Sequence, residues 1–333
     1  MIQKSMRIRT LVVRAIGLST IFASLASTAF AHEKWFVPEA SVGEISPFFR
    51  SLAIAPAVLV LAALAAITVF FFLDRRNGQR PSLSRYLAPW LPMIVGVSTG
   101  TSFLFAALQR TLFAPNLVIP DGVFGSWIVL LELGIGLAFI AGFGARFAAI
   151  ATLLLSLLSV WWFGWNAFDY VNIAGGAFFL FVWGRGVGSA GAIFGKLFFA
   201  FDSSPLRPLA VLLLRISLGL TFCVLGLGKI VRPDLHFAAL ALFPGHNPLA
   251  WYQSFLSFLT PEWYLLISAV IEISAGILIT LRTFLRPVSA FLLIPFLLYP
   301  FFFGAGEIAG HLPIIGTLIL FLLLGRHEVV LER

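Results

Sequence analysis

Apolar runs long enough to cross a hydrocarbon layer of roughly 30 Å recur along almost the whole of this chain. A backbone in lipid must satisfy its own hydrogen bonds, so runs of this length imply helices. The spans fall at about residues 50–73, 87–108, 122–143, 147–165, 170–186, 208–228, 262–281, 287–304 and 311–325. With 60% hydrophobic and only 11% charged residues, 333 residues could not present the polar surface of a soluble domain. The net charge of +8 does not point to nucleic acid, because the basic residues stand at the ends of apolar runs. The expectation is an all-α membrane protein of about nine transmembrane helices, lying in a lipid bilayer.

Residues 1–31 have the three parts of an export signal. These are the basic residues Lys4, Arg7, Arg9 and Arg14, the apolar stretch Ala15 to Ala26, and the small-residue site Ala29-Phe30-Ala31. Cleavage there would leave His32 as the mature N-terminus and lower the net charge from +8 to +4. It would also put that terminus on the periplasmic side of a bacterial inner membrane. Alternation then places Arg75, Arg76, Arg80, Arg85, Arg146, Arg185, Lys196, Arg207, Arg282, Arg286, Arg326 and Arg333 inside, with the C-terminus cytoplasmic. Only Lys34, Arg50, Arg110, Lys229 and Arg232 fall outside, which agrees with the positive-inside rule. Trp161, Trp162, Trp165, Trp251 and Trp263 fall at outer ends, as an interfacial belt would.

The sequence also repeats itself. Leu131-Glu132-Leu133-Gly134-Ile135-Gly136 aligns with Ile271-Glu272-Ile273-Ser274-Ala275-Gly276, 140 residues on. The same offset carries Arg146 onto Arg286, Gly164 onto Gly304 and Gly176 onto Gly316. Upstream, Ala114-Pro115-Asn116-Leu117 aligns with Arg232-Pro233-Asp234-Leu235 at an offset of 118, leaving an insertion near 236–258 in the second copy. The organisation is then a signal at 1–31, a periplasmic segment and leading helix over 32–82, and two tandem four-helix bundles over 83–190 and 205–327. An even number of spans per copy makes the repeat parallel, unlike the inverted repeats of many transporters.

Few residues here can carry chemistry. Glu132 and Glu272 sit about 15 Å inside their helices, where a carboxyl group is costly and marks either function or fixed packing. Arg215 lies about 10 Å deep from the other end and is expected to pair with Glu272. The first copy has Val97 at the aligned position, so the second copy is the better equipped. Lys229 closes its helix as either a snorkelling anchor or a cation for a quinone carbonyl or an anionic substrate. Outer-side His236, His246 and His311, together with Glu307, are candidates for metal binding or proton transfer, although no metal-binding spacing links them. An N-terminal His32 would offer an amine and an imidazole together, a pair that chelates copper(II). Arg146 and Arg286 read as orientation anchors. Cys223 is a lone cysteine inside an apolar run, which excludes a self-contained dithiol relay.

Arg215-x3-Gly219, Gly226-x2-Lys229, Pro233, Glu272-x3-Gly276 and Arg286 together resemble the DoxX family of small four-helix membrane proteins. The likeness is best over 207–326 and weaker over 85–190, where Val97 and Thr111 replace the family-type arginine and lysine. That family includes DoxD, the membrane subunit of thiosulfate:quinone oxidoreductase. The resemblance implies a quinone-linked redox role beside a periplasmic partner, with Arg215, Lys229 and Glu272 as family-typical positions. Two alternatives stand beside it: transport or binding of a metal or small solute, and a scaffold that assembles other membrane subunits.

Overall fold

A computed structural model describes residues 87–184, 186, 203–242, 260–303 and 305–325. The signal, the leading span, His32 and His246 lie outside them. Among the described residues the chain is helical, apart from one isolated bridge between Thr111 and Val118. The helices are α1 (Leu91–Leu108, after a 3-10 turn at Ala88–Trp90), α2 (Val123–Ala141), α3 (Ala145–Phe163) and α4 (Val171–Trp183). They continue with α5 (Arg207–Val231), α6 (Pro233–Leu242), α7 (Pro261–Thr280), α8 (Leu285–Phe303) and α9 (Ala305–Leu324).

Among the described residues, five helical stretches are long and apolar enough to cross a membrane: Ala88–Leu108, Val123–Ala141, Ala145–Trp183, Ser204–Val231 and Pro261–Thr280. Two shorter apolar helices, Leu285–Phe296 and Ala309–Leu324, accompany them. Ala145–Trp183 runs for 39 residues, about 58 Å as one straight helix and far more than one crossing needs. It is interrupted at Gly164, whose φ of 57° leaves the helical region, and α3 and α4 pack against each other. The segments 147–165 and 170–186 read from the sequence fall mostly within this stretch.

The surface confirms lipid as the solvent. Trp161 is 79% exposed, Val123 78% and Leu157 70%. Such residues line the outward faces of α2 and α3, as a surface that meets lipid would be lined. Inside, Phe103, Phe139, Phe179, Phe222 and Phe321 are fully buried.

Helix ends follow local chemistry. Thr260 caps α7 by accepting the Trp263 N–H, and Pro261 at the first helical position has no N–H to leave unsatisfied. The tight α2–α3 turn uses Gly142 (φ 72°) and Gly144 (φ 63°). The α7–α8 turn adopts the same left-handed backbone with Arg282 (φ 59°) and Phe284 (φ 60°), which glycine would take without steric cost. Arg146 donates to Ser203 Oγ at 3.3 Å, and Ser203 in turn donates to the Val182 carbonyl at 2.7 Å. Arg286 donates directly to the Leu323 carbonyl at 3.1 Å. Each arginine therefore ties the start of one helix to the last turn of another, supplying donors to carbonyls that have no partner within their own helix.

Two crossings set glycine against glycine. A Cβ on Gly100 would lie 2.7 Å from the Gly136 carbonyl oxygen, and one on Gly136 would lie 2.8 Å from the Gly100 oxygen, so α1 and α2 touch backbone to backbone. Gly219 and Gly276 bring α5 and α7 together in the same way, at 2.5 Å from a Gly219 Cβ to the Gly276 oxygen. Gly276→Val should therefore force these helices apart, at a cost of about 1–3 kcal/mol. Gly134→Ala, where an added methyl meets nothing within 4 Å, should be neutral or slightly stabilising. Denaturant titration of both variants in detergent checks the contrast.

Candidate functional site

The α5–α7 crossing sets the register of the helices that carry Lys229 and Glu272. Gly219 lies against Gly276 and Thr280, and Gly226 lies against Ala269 and Ile273. Near that second contact, one turn along α5, the Lys229 side chain reaches across to α7. Its Nζ donates to both carboxylate oxygens of Glu272, at 2.9 and 2.8 Å. The two side chains are only 10% and 17% exposed, so the pair is desolvated. A close two-oxygen contact of this kind is what a buried charge pair needs to offset its lost hydration.

This corrects the expected partner of Glu272. The register puts Glu272 beside the Cys223–Gly226 turn of α5, and Arg215 lies two to three turns away, roughly 12–16 Å along the axis. Depth counted from opposite membrane faces made the two look level. The glycine contacts show that they are not. Lys229 likewise does not snorkel outward: the residue is 8% exposed and its amine turns inward.

The α1–α2 crossing handles its carboxyl group differently. Glu132 is wholly buried, four residues before the crossing glycine Gly136, as Glu272 is before Gly276. Its Oε1 accepts the backbone N–H of Phe113 at 3.1 Å, and its Oε2 has no hydrogen-bond partner among the described residues. Lys229 is ten residues beyond Gly219, and ten residues beyond Gly100 is Arg110. However, α1 ends at Leu108 whereas α5 runs on to Val231. Arg110 therefore leaves the helix with φ 56°, and its guanidinium lies 3.4 Å from the exposed Asp121. The loop that follows folds back, with Phe113 at φ 67°, and its backbone takes the place of the cation. Loop matching pairs Thr111 with Lys229; the crossing glycines shift that correspondence by one residue.

Two of the candidate histidines lie among the described residues, each buried on its own helix. His236 on α6 is 3% exposed and His311 on α9 is 4% exposed, with the His311 ring centroid 4.9 Å from that of Phe296. Among the described residues, no group of three His, Cys, Asp or Glu comes together as a metal site. Cys223 is buried, with its Sγ 3.8 Å from the Ile273 carbonyl oxygen, as a packed core residue at the crossing.

Sequence reasoning passed over a polar seam between α4 and α5. Asn172 N–H donates to Thr221 Oγ1 at 3.2 Å, and Thr221 Oγ1 donates to Asn172 Oδ1 at 3.3 Å. Nearby, Asp169 is fully buried and the Tyr170 hydroxyl donates to Asn116 Oδ1. The polar cluster Asp169-Tyr170-x-Asn172 at the mouth of an apolar run was the available signal.

The Lys229–Glu272 contact should resist piecemeal removal. Lys229→Met alone should cost about 3–5 kcal/mol, because it strands a buried carboxylate. Lys229→Met with Glu272→Leu should cost less than the sum of the two single changes, as a double-mutant cycle in detergent would show. In contrast, Glu132→Gln keeps an acceptor for the Phe113 N–H and should cost no more than about 1 kcal/mol.

Residues 210–305, from α5 to the start of α9, match the DoxX family model, and the matched segment includes Arg215, Lys229 and Glu272. No curated protein and no solved structure matches the chain.

Proposed function

We propose that this DoxX-domain membrane protein exchanges electrons with quinone at the Lys229–Glu272 pair, beside a periplasmic redox partner. The reading takes the chain as two tandem four-helix units behind a leading helix, in nine crossings of a bacterial inner membrane. It places the N-terminus outside, the C-terminus inside and the ion pair toward the outer face. The observation that carries it is a desolvated ammonium–carboxylate pair inside an apolar bundle. An ammonium has three N–H donors, so it can hold a carboxylate and also meet a carbonyl oxygen of a lipid-soluble quinone. The carboxylate beside it can take or return a proton as that carbonyl is reduced or re-formed. The chain shows no haem or flavin motif, so the electrons would pass to or from the partner.

The tandem arrangement is supported by the shared form of the two glycine crossings and by the matching left-handed turns at 142–144 and 282–284, which fall at the 140-residue offset of the repeat. A second reading, a scaffold that assembles other membrane subunits, is favoured by the same backbone contacts, which make a rigid platform. The two readings differ in what the ion pair does.

Lipid-extracted native mass spectrometry of the purified protein should find quinone in the wild type and at least tenfold less in Lys229→Met. Equal quinone in both would remove Lys229 from the site. Quinone absent from both, with a co-purifying membrane complex, would favour the scaffold.

A further inference from the structure

The two four-helix units do not close on themselves. The first helix of the earlier unit, α1, packs on α2 and then on α9, the last helix of the later unit. Conversely α5, which opens the later unit, packs on α7 and then on α4, which closes the earlier one. Each leading helix touches the closing helix of its own unit far less.

The two exchanged contacts are built alike. A Cβ on Gly175 of α4 would overlap Ser217 Oγ of α5 and come within 3.1 Å of the Leu213 carbonyl oxygen. One on Gly316 of α9 would overlap Ser98 Oγ of α1 and come within 3.4 Å of the Ile94 carbonyl oxygen. Ser98 precedes the crossing glycine Gly100 by two residues, and Ser217 precedes Gly219 by two. Each serine turns its hydroxyl back onto its own helix, Ser98 to the Val95 carbonyl at 3.1 Å and Ser217 to Leu214 at 3.0 Å. That leaves a small, self-satisfied surface against which a glycine can seat. The α4–α5 contact adds the Asn172–Thr221 bonds, which in an apolar medium have no water to compete with them.

We infer that the chain is an internal heterodimer: each four-helix unit lends its closing helix to the other, and the α1 face at Ser98 and the α5 face at Ser217 are docking surfaces for a unit of the same kind. The helix that carries Lys229 is thus held on one side by α7 of its own unit and on the other by α4 of the companion. The inference rests on the tandem part of the proposed function and is independent of its quinone part.

The test uses the full chain with a protease site placed within 187–202 and cut after purification in mild detergent. The expected result is that both fragments stay together as one particle in size-exclusion chromatography, and that Gly175→Leu with Gly316→Leu releases them. Separation of the wild-type fragments, or fragments that stay together in the double variant, would overturn the inference. Should the leucine variant fail to fold, Asn172→Cys with Thr221→Cys in a Cys223→Ser background supplies a second measurement. Oxidation should join the cut fragments into one non-reducing band, and failure to join them would also overturn it. Quinone content measured on the same cut particle separates the two claims: intact assembly without quinone sinks only the redox reading, whereas released fragments with an intact Lys229 site sink only this one.

Discussion

Everything distinctive in this molecule follows from the cost of placing charge in hydrocarbon. A lone carboxylate or ammonium there would be expelled or neutralised, so each must meet a partner at hydrogen-bond distance. The Lys229–Glu272 pair meets that demand because two glycines let α5 and α7 approach until their backbones touch. A bulkier crossing would hold the helices farther apart, and the lysine could no longer reach both oxygens. Backbone proximity and charge pairing are therefore one constraint, and the DoxX match covers the segments that impose it.

The earlier half of the chain solves the same problem with different means. Glu132 occupies the equivalent place beside a glycine crossing, yet its donor is a backbone N–H presented by a folded-back loop. Two positive-φ residues, Arg110 and Phe113, shape that loop, and non-glycine residues rarely adopt this conformation. The result is a buried carboxyl group tied to packing, where the later half has a full ion pair.

The sequence made the spans legible because hydropathy is a property of single segments. The boundaries read from it fall within a few residues of α1, α2, α3, α5 and α7. Glu132, Glu272 and Lys229 were equally visible, since an ionisable group in an apolar run stands out. What could not be read was which residues face each other. Pairing Glu272 with Arg215 required comparing depths measured from opposite membrane faces, and an error of a few residues at each end accumulates to two turns. Register is instead decided by where small residues meet, and Gly219, Gly226 and Gly276 disclose this only once the helices are docked. The exchange of closing helices was hidden for the same reason, because Ser98 and Ser217 look like ordinary small residues until Gly316 and Gly175 are seen against them.

The early stop of α1 at Leu108, two residues short of Arg110, has a wider meaning. Two identical chains assembled side by side must carry the same equipment twice, since any change appears in both. Two such bodies joined in one polypeptide, as proposed above, would escape that rule. One half is then free to give up its cation and become a fixed support, while the other keeps its polar centre. A machine assembled in this way has an intrinsic front and back, a directionality that a symmetric pair could acquire only by recruiting something from outside.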